Sequence, residues 1–331
     1  RHIVKYFDVS DSSTSNWKGY IAVGAYNTAA NTDSTINLTG YPGTTISGLG
    51  RLNGPMGLKL DTSDNILYVA EYSSCRLRAL GLPGATTRSV AGKSITAGQL
   101  LTLAGNGCAS APVGTNSDLT VNLYNRPLGI ELLKSSGQVK GVFVADRDGN
   151  RVSFLNNDPS TVTIGNVAVA TQKVNVVFGT GNSIGSNPPT GANSVVVNPI
   201  GLYIDGGVLY VGSRGTSAVR TLDISSNNGV VATYFGGTAR ASYSGNAPLD
   251  SRLVTFNNPL SLAYRNTGNL LYVSDSSNAM IRSVNLTTGR VEDFIGTGAS
   301  TDENISNTVT TATRIRSPRG MAIYNDHFLY A

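Results

Sequence analysis

The chain has 331 residues, 40% of them hydrophobic and only 14% charged, with 38 glycines. That suffices for a substantial core under a surface made polar by Asn, Ser and Thr, a composition more common outside cells than in the cytosol. The net charge of +5 is dispersed, with no basic cluster or aromatic-interleaved ladder, and no apolar window approaches ~18 residues, which excludes a concentrated nucleic-acid footprint and a membrane-spanning helix.

In chain order, RHIVKYFDV (Arg1 to Val9) and GYIAVGA (Gly19 to Ala25) read as two strands with alternating apolar residues. No long apolar region follows the N-terminus, and a start at Arg1 rather than Met reads as a processed or excised chain. A polar segment runs on to Asn53, where a repeated pattern begins.

The repeat opens on proline at Pro55, Pro127, Pro199, Pro259 and Pro318, at intervals of 72, 72, 60 and 59 residues. After each proline come a short alternating strand, a polar turn, a strand such as LYVAE, VFVAD or LYVSD, a small-residue turn and a third strand. A fourth strand ends on glycine in QLLTLAGNG, KVNVVFGTG, GVVATYFGG and GRVEDFIGTG. Four antiparallel strands per unit, repeated at this period, spell a β-propeller blade. The last unit, from Ser317 to Ala331, supplies only two strands, and the N-terminal pair matches third and fourth strands. The expectation is an all-β, five-bladed propeller, one domain over 1–331. Four blades start near 55, 127, 199 and 259, and a composite blade of 318–331 plus 1–25 closes the ring.

The pattern resembles NHL-repeat β-propellers. The match is carried by Pro55, Gly57, Tyr68 to Glu71 and Arg76; Pro127, Gly129, Val144 to Asp146, Asn150 and Arg151; Pro199, Gly201, Tyr210, Val211 and Arg220; Pro259, Tyr272, Val273, Asp275, Asn278 and Arg282; and Pro318, Gly320 and Arg1 to Ile3. Ser213 and Ser261 depart from it, where the pattern has an acid and a glycine. The family is more often six-bladed, whereas five first strands are counted here. The resemblance implies no single activity, since such propellers include protein- and RNA-binding modules, sensor domains of kinases and a metal-bearing amidating lyase.

Antiparallel order places the turn between strands two and three at the same end as the connection to the next blade. Those connections, 24–54, 105–125, 179–198, 236–258 and 296–317, are long, and serve recognition or carry a short outer strand. Candidate ligand contacts at this end are Tyr26, Tyr41, Tyr72, Tyr124, Arg147, Arg214 and Tyr243. At the other end, insertions 82–98 and 157–172 read either as satellite packing or as an added edge or partner contact.

Chemistry-bearing residues are sparse. Cys75 and Cys108 fall at the same end of one blade, so they form a disulfide or remain two thiols; no CxxC is present. His2 and His327 are the two histidines, a poor basis for zinc catalysis. Glu71, Asp146 and Asp275 recur after second strands, either as calcium ligands or as acceptors for backbone N–H groups and partners of Arg76, Arg151 and Arg282. Asn37, Asn285 and Asn304 head N-glycosylation acceptor triplets.

The expected function is non-catalytic recognition of a protein or carbohydrate, outside the cell or on its surface, through the long-loop end. No cofactor beyond calcium is implied. Two alternatives stand beside it: a calcium-dependent propeller hydrolase, lactonase or lyase, and a structural subunit of a surface filament or envelope assembly.

Overall fold

A computed structural model describes residues 2–8, 18–25, 34–35, 51–108, 115–179, 196–226, 231–235, 249–250, 254–298, 313–324 and 327–330. The chain packs as two compact units: Arg1–Gly149 with Ser153–Val162 and Ala168–Asn175, and Asn150–Val152 with Thr163–Val167 and Val176–Ala331.

The architecture is all β. Each of the four complete repeats forms an antiparallel sheet whose strands lie in chain order. Blade one pairs Pro55–Asp61, Ile66–Glu71, Arg76–Gly81 and Gln99–Ala104; blade two pairs Pro127–Ser135, Gln138–Asp146, Arg151–Asn156 and Val174–Phe178. Blade three holds Pro199–Asp205, Val208–Ser213, Ala218–Asp223 and Val231–Phe235; blade four holds Pro259–Arg265, Leu270–Asp275, Met280–Asn285 and Arg290–Ile295. The terminal segments form two further hairpins, His2–Asp8 with Lys18–Ala25 and Met321–Tyr324 with His327–Tyr330, each a sheet of two strands. The two halves expected to make the composite blade are thus each present as a pair of strands.

Second and third strands are buried almost throughout, as in Ile66–Glu71 and Arg151–Asn156. Burial on both faces is what a sheet sandwiched between neighbours requires, and it explains why these strands read as near-continuous apolar runs. In the first unit Tyr68, Leu77, Leu103, Val142, Val144 and Leu155 belong to one core. In the second, Val219, Phe256, Leu271, Val273 and Val284 form another.

The glycine two residues after each of two prolines has a packing cause. A Cβ on Gly57 would lie 1.5 Å from the Leu128 carbonyl oxygen of blade two, and one on Gly201 would lie 3.0 Å from the Leu262 nitrogen of blade four. First strands of adjacent blades touch backbone to backbone there, which only glycine permits. Close to Gly201 and Leu262, Tyr203 stacks on Tyr264 with ring centroids 4.8 Å apart.

Three outer edges are covered. Ser34–Thr35 pairs with the fourth strand of blade one, Leu249–Asp250 pairs with that of blade four, and Ser117 bridges to Val174 at the edge of blade two. Three of the long connections therefore carry an outer strand or bridge for the blade that follows, which removes an unpaired edge.

Both insertions are satellite hairpins, Arg88–Val90 with Lys93–Ile95 and Val162–Ile164 with Val167–Val169. Val90, Ile95, Ile164 and Val169 are buried within the chain. Asn157 ties the first insertion down, accepting the Ala91 N–H at 2.9 Å and donating to the Val139 carbonyl at 2.9 Å. The apolar NVAVA stretch is thus not an edge strand added to blade two. Among the described residues no helix is long and apolar enough to cross a membrane.

Candidate ligand-binding site at the second turns

The end of each blade where strand two turns into strand three meets the residues that precede the proline. One side chain organises this junction. Glu71 accepts the Asn53 N–H at 3.2 Å, Asp146 the Asn125 N–H at 2.5 Å and Asp275 the Asn257 N–H at 2.6 Å. Each donor lies two residues before its proline. Ser213, which breaks the acidic series, does the same work with a hydroxyl: its Oγ accepts the Val197 N–H at 3.1 Å.

The same acids also hold their own turn. Ser74 Oγ donates to Glu71, and Asn278 Nδ2 donates to Asp275 at 2.9 Å. In blade three, Thr216 Oγ1 donates to Ser213 Oγ at 2.7 Å. Glu71, Asp146 and Asp275 are fully buried, and each accepts a backbone N–H of its own junction. Among the described residues no cluster of three or more His, Cys, Asp or Glu could hold a metal ion.

The basic partners differ in part from the sequence reading. Glu71 pairs with Arg78 at 3.1 Å, both buried; Arg76, paired with it across the sheet, also acts on it by charge, and its Nη2 reaches the Asn106 carbonyl at 3.3 Å. Arg76 sits at the rim end of the third strand and extends outward, whereas Arg78 lies one pleat deeper and reaches back to Glu71 inside the sheet. In blade four the deeper position is Arg282, 3.9 Å from Asp275 and 3.1 Å from Asp293. Arg151 is buried at the position equivalent to Arg76.

Burial pushes both Glu71 and Asp275 upward in pKa. For Glu71, desolvation outweighs Arg78, Ser74 and the Asn53 amide. For Asp275, desolvation raises the carboxyl to about 6 against the bonds from Asn257 and Asn278, because Arg282 is too distant to offset it.

Polar groups with exposed surface lie beside these buried acids. In the first unit, Arg147 Nη1 donates to the Tyr72 hydroxyl at 2.7 Å. The guanidinium carbons of Arg126 and Arg147 stand 5.4 Å and 5.8 Å from the centroid of the Tyr72 ring, within cation–π range. Asp148 accepts from Arg126 Nη1 at 2.9 Å and lies 3.4 Å from Arg147 Nε. Tyr72 and Arg147 follow the ordering acid in blades one and two, which is why they meet.

Arg126 is a residue that sequence reasoning missed. It precedes Pro127 with φ of +61°, and Gly54, Asn198, Asn258 and Ser317 occupy the same left-handed position before their own prolines. The backbone N–H of Arg126 donates to Cys75 Sγ at 3.2 Å. Cys75 and Cys108 form a disulfide, with Cα atoms 4.9 Å apart, that pins the second turn of blade one to the loop after its fourth strand. In the second unit Arg214, equivalent to Tyr72 and Arg147, donates to Asn258 Oδ1 at 3.3 Å.

The remaining expectations divide. Tyr124 is fully buried in the core of the first unit and presents no surface to a ligand. Its segment bridges to Cys108, which turns the ring inward. Tyr26, Tyr41, Tyr243, Asn37 and Asn304 lie outside the described residues. Asn285 is engaged in its own turn, accepting the Thr287 and Thr288 N–H groups at 3.0 Å and 2.9 Å. Asp148 was also missed; aligning the residues beside each acid and before each proline would have exposed both it and Arg126.

No protein-family model matches the chain, and no curated protein matches it by sequence. Solved structures do resemble it. A chain of a nidogen/laminin complex superposes with a TM-score of 0.50 at 14% identity, covering 87% of this chain and 75% of that one. An auxiliary nutrient binding protein from Bacteroides thetaiotaomicron gives 0.49 at 12% identity, covering 86% and 67%. Virginiamycin B lyase from Staphylococcus aureus gives 0.46 at 10% identity, covering 91% and 67%. At 14% identity the likeness to the nidogen/laminin chain speaks to the fold alone.

Proposed function

We propose that the chain is a closed five-bladed propeller of the NHL-repeat type, one domain over 1–331, that works outside the cell as a binding protein. Ligand is taken at the end of the blades where second turns and pre-proline loops meet. The observation that carries this reading is the Tyr72, Arg126, Arg147 and Asp148 cluster: interlocked, partly exposed charged groups, one held in a left-handed backbone. The disulfide supports an oxidising compartment. Closure by residues 318–331 and 1–25 is supported by Met56, Leu58 and Leu60. These alternate residues on the first strand of blade one are 59%, 48% and 44% exposed, and a preceding blade would cover them.

The test presents the intact chain to a glycan array and to a pull-down from extracellular proteins, beside an Arg126→Gly/Arg147→Gln double variant. Retention of a ligand by the native chain and its loss in the variant is the expected result. Failure of the native chain to retain anything in either format overturns the reading.

A calcium-dependent hydrolase, lactonase or lyase is the second reading, with less support, since Glu71, Asp146 and Asp275 are buried and engaged with their own junctions. Saturable calcium binding by the intact chain, with turnover of a lactone that chelation abolishes, would decide for it. Structural assembly has less support, since both insertions bury their apolar residues within the chain.

A further inference from the structure

We propose that the Tyr72 cluster is a site for an acidic saccharide, a sugar bearing a carboxylate or a sulfate. This rests on the binding reading above and names the ligand class. Two guanidiniums and one carboxylate converge from three segments: Arg126 from the loop before blade two, Arg147 and Asp148 from the second turn of that blade, and Tyr72 from the second turn of blade one. The cluster carries one net positive charge. Arg126 is 53% exposed at its side chain, so the fork it offers Asp148 is open to an incoming anion.

The backbone adds an independent sign. Blade one places Gly54 at the position of Arg126, and blades three and four place Asn198 and Asn258 there, residues that adopt a left-handed φ with little strain. Arginine adopts it at a cost, and its side chain does not help the turn. Ser317 bears a similar cost before its own proline, so what sets Arg126 apart is the charged side chain placed there, against Asp148 and the Tyr72 ring.

The surroundings choose the ligand class. Ser73 follows Tyr72 in the second turn of blade one, and the Cys75–Cys108 disulfide with the Cys108 to Tyr124 bridge ties to that turn the loop of Asn106 and the segment of Asn122, whose side chains are exposed hydroxyl and amide groups. A sugar matches such a surface with its own hydroxyls, while its acidic group engages the paired guanidiniums. Asp148 holds both arginines in place until an anion competes for them.

The test measures binding of the intact chain, by calorimetry, to a polyuronate oligosaccharide, a sulfated oligosaccharide, a neutral dextran of equal length and a poly-glutamate peptide. The proposal expects at least one acidic oligosaccharide to bind, more weakly in higher salt, and both the dextran and the peptide to bind at least tenfold less well. Arg126→Gly should lose tenfold or more in affinity while its melting midpoint stays or rises, because glycine accepts the +61° φ. Asp148→Asn should bind several-fold tighter, since the competing carboxylate is gone, and Arg147→Gln should bind more weakly. Arg290→Ser, at the opposite end of blade four, should change nothing.

Equal binding of dextran, equal binding of poly-glutamate, or native affinity in Arg126→Gly each overturns the proposal. If acidic sugars fail while another ligand is retained through Arg126 and Arg147, this inference falls and the binding reading stands. If no ligand of any kind is retained, both fall.

Discussion

Replacing Asp275 tests the principle that orders every blade. Its side chain is fully buried, accepts the Asn257 N–H at 2.6 Å and the Asn278 amide at 2.9 Å, and lies 3.9 Å from Arg282. Asp275→Ala leaves the Asn257 amide without its acceptor, a loss of about 1–3 kcal/mol. Stripping all acid from a buried arginine costs about 3–5 kcal/mol, but Arg282 keeps Asp293 at 3.1 Å, so only part of that applies. The expected total is about 3 kcal/mol, read from urea titrations. Asp275→Ser imports the arrangement of blade three, where Ser213 Oγ accepts the Val197 N–H at 3.1 Å, and should lose about 1 kcal/mol. Titrations across pH add a second readout. The carboxyl titrates at about 6 in the fold against 3.8 for the free side chain, so the folded protein binds more protons between those values. Its contribution to stability is therefore full at low pH and is lost as pH rises through that window, by about 3 kcal/mol. Asp275→Asn keeps the acceptor oxygen and should flatten that part of the profile. A serine variant as damaged as the alanine one would refute the reasoning, and so would an Asp275→Asn variant whose stability profile from pH 4 to pH 7 runs parallel to that of the native chain.

Other outcomes follow from the same geometry. Gly57→Ala should unfold or severely destabilise the chain, because the new methyl would stand 1.5 Å from the Leu128 oxygen, whereas Gly320→Ala meets nothing within 4 Å and should be neutral by thermal melting. Serine at both Cys75 and Cys108 removes a crosslink spanning 33 residues and should cost about 3–4 kcal/mol on a chain-entropy basis, measured by urea unfolding under oxidising conditions. Leu58→Asp separates a closed ring from an uncovered strand: closure buries Leu58 and predicts a loss of about 2 kcal/mol or more, while an open edge predicts a change within about 0.5 kcal/mol.

Much of this protein was legible before folding was considered, and for a local reason. Strand, turn and proline positions repeat with the chain, so the blades starting at Pro55, Pro127, Pro199 and Pro259 could be read from alternation and spacing, and the shared position of Glu71, Asp146 and Asp275 from alignment. Cys75 and Cys108 fell at one end of one blade by antiparallel geometry alone, and they are bonded. Sequence also offered two fates for the insertions and the long connections without choosing between them.

The choices that matter for the candidate site belong to the tertiary structure. Arg76 and Arg78 share a strand face, and only the depth of each within the packed sheet sets Arg78 in a buried pair with Glu71 while Arg76 also reaches out to Asn106. Tyr72 and Tyr124 both lie near second turns, yet packing encloses Tyr124 while Tyr72 remains on the rim beneath two arginines. Arg126 was not among the sequence candidates, because its neighbours across the blade boundary are set by packing. Periodicity is a property of adjacent residues and survives in the sequence, whereas which side chains meet across sheets depends on backbone approach, such as that at Gly57 and Leu128, between residues far apart in the chain.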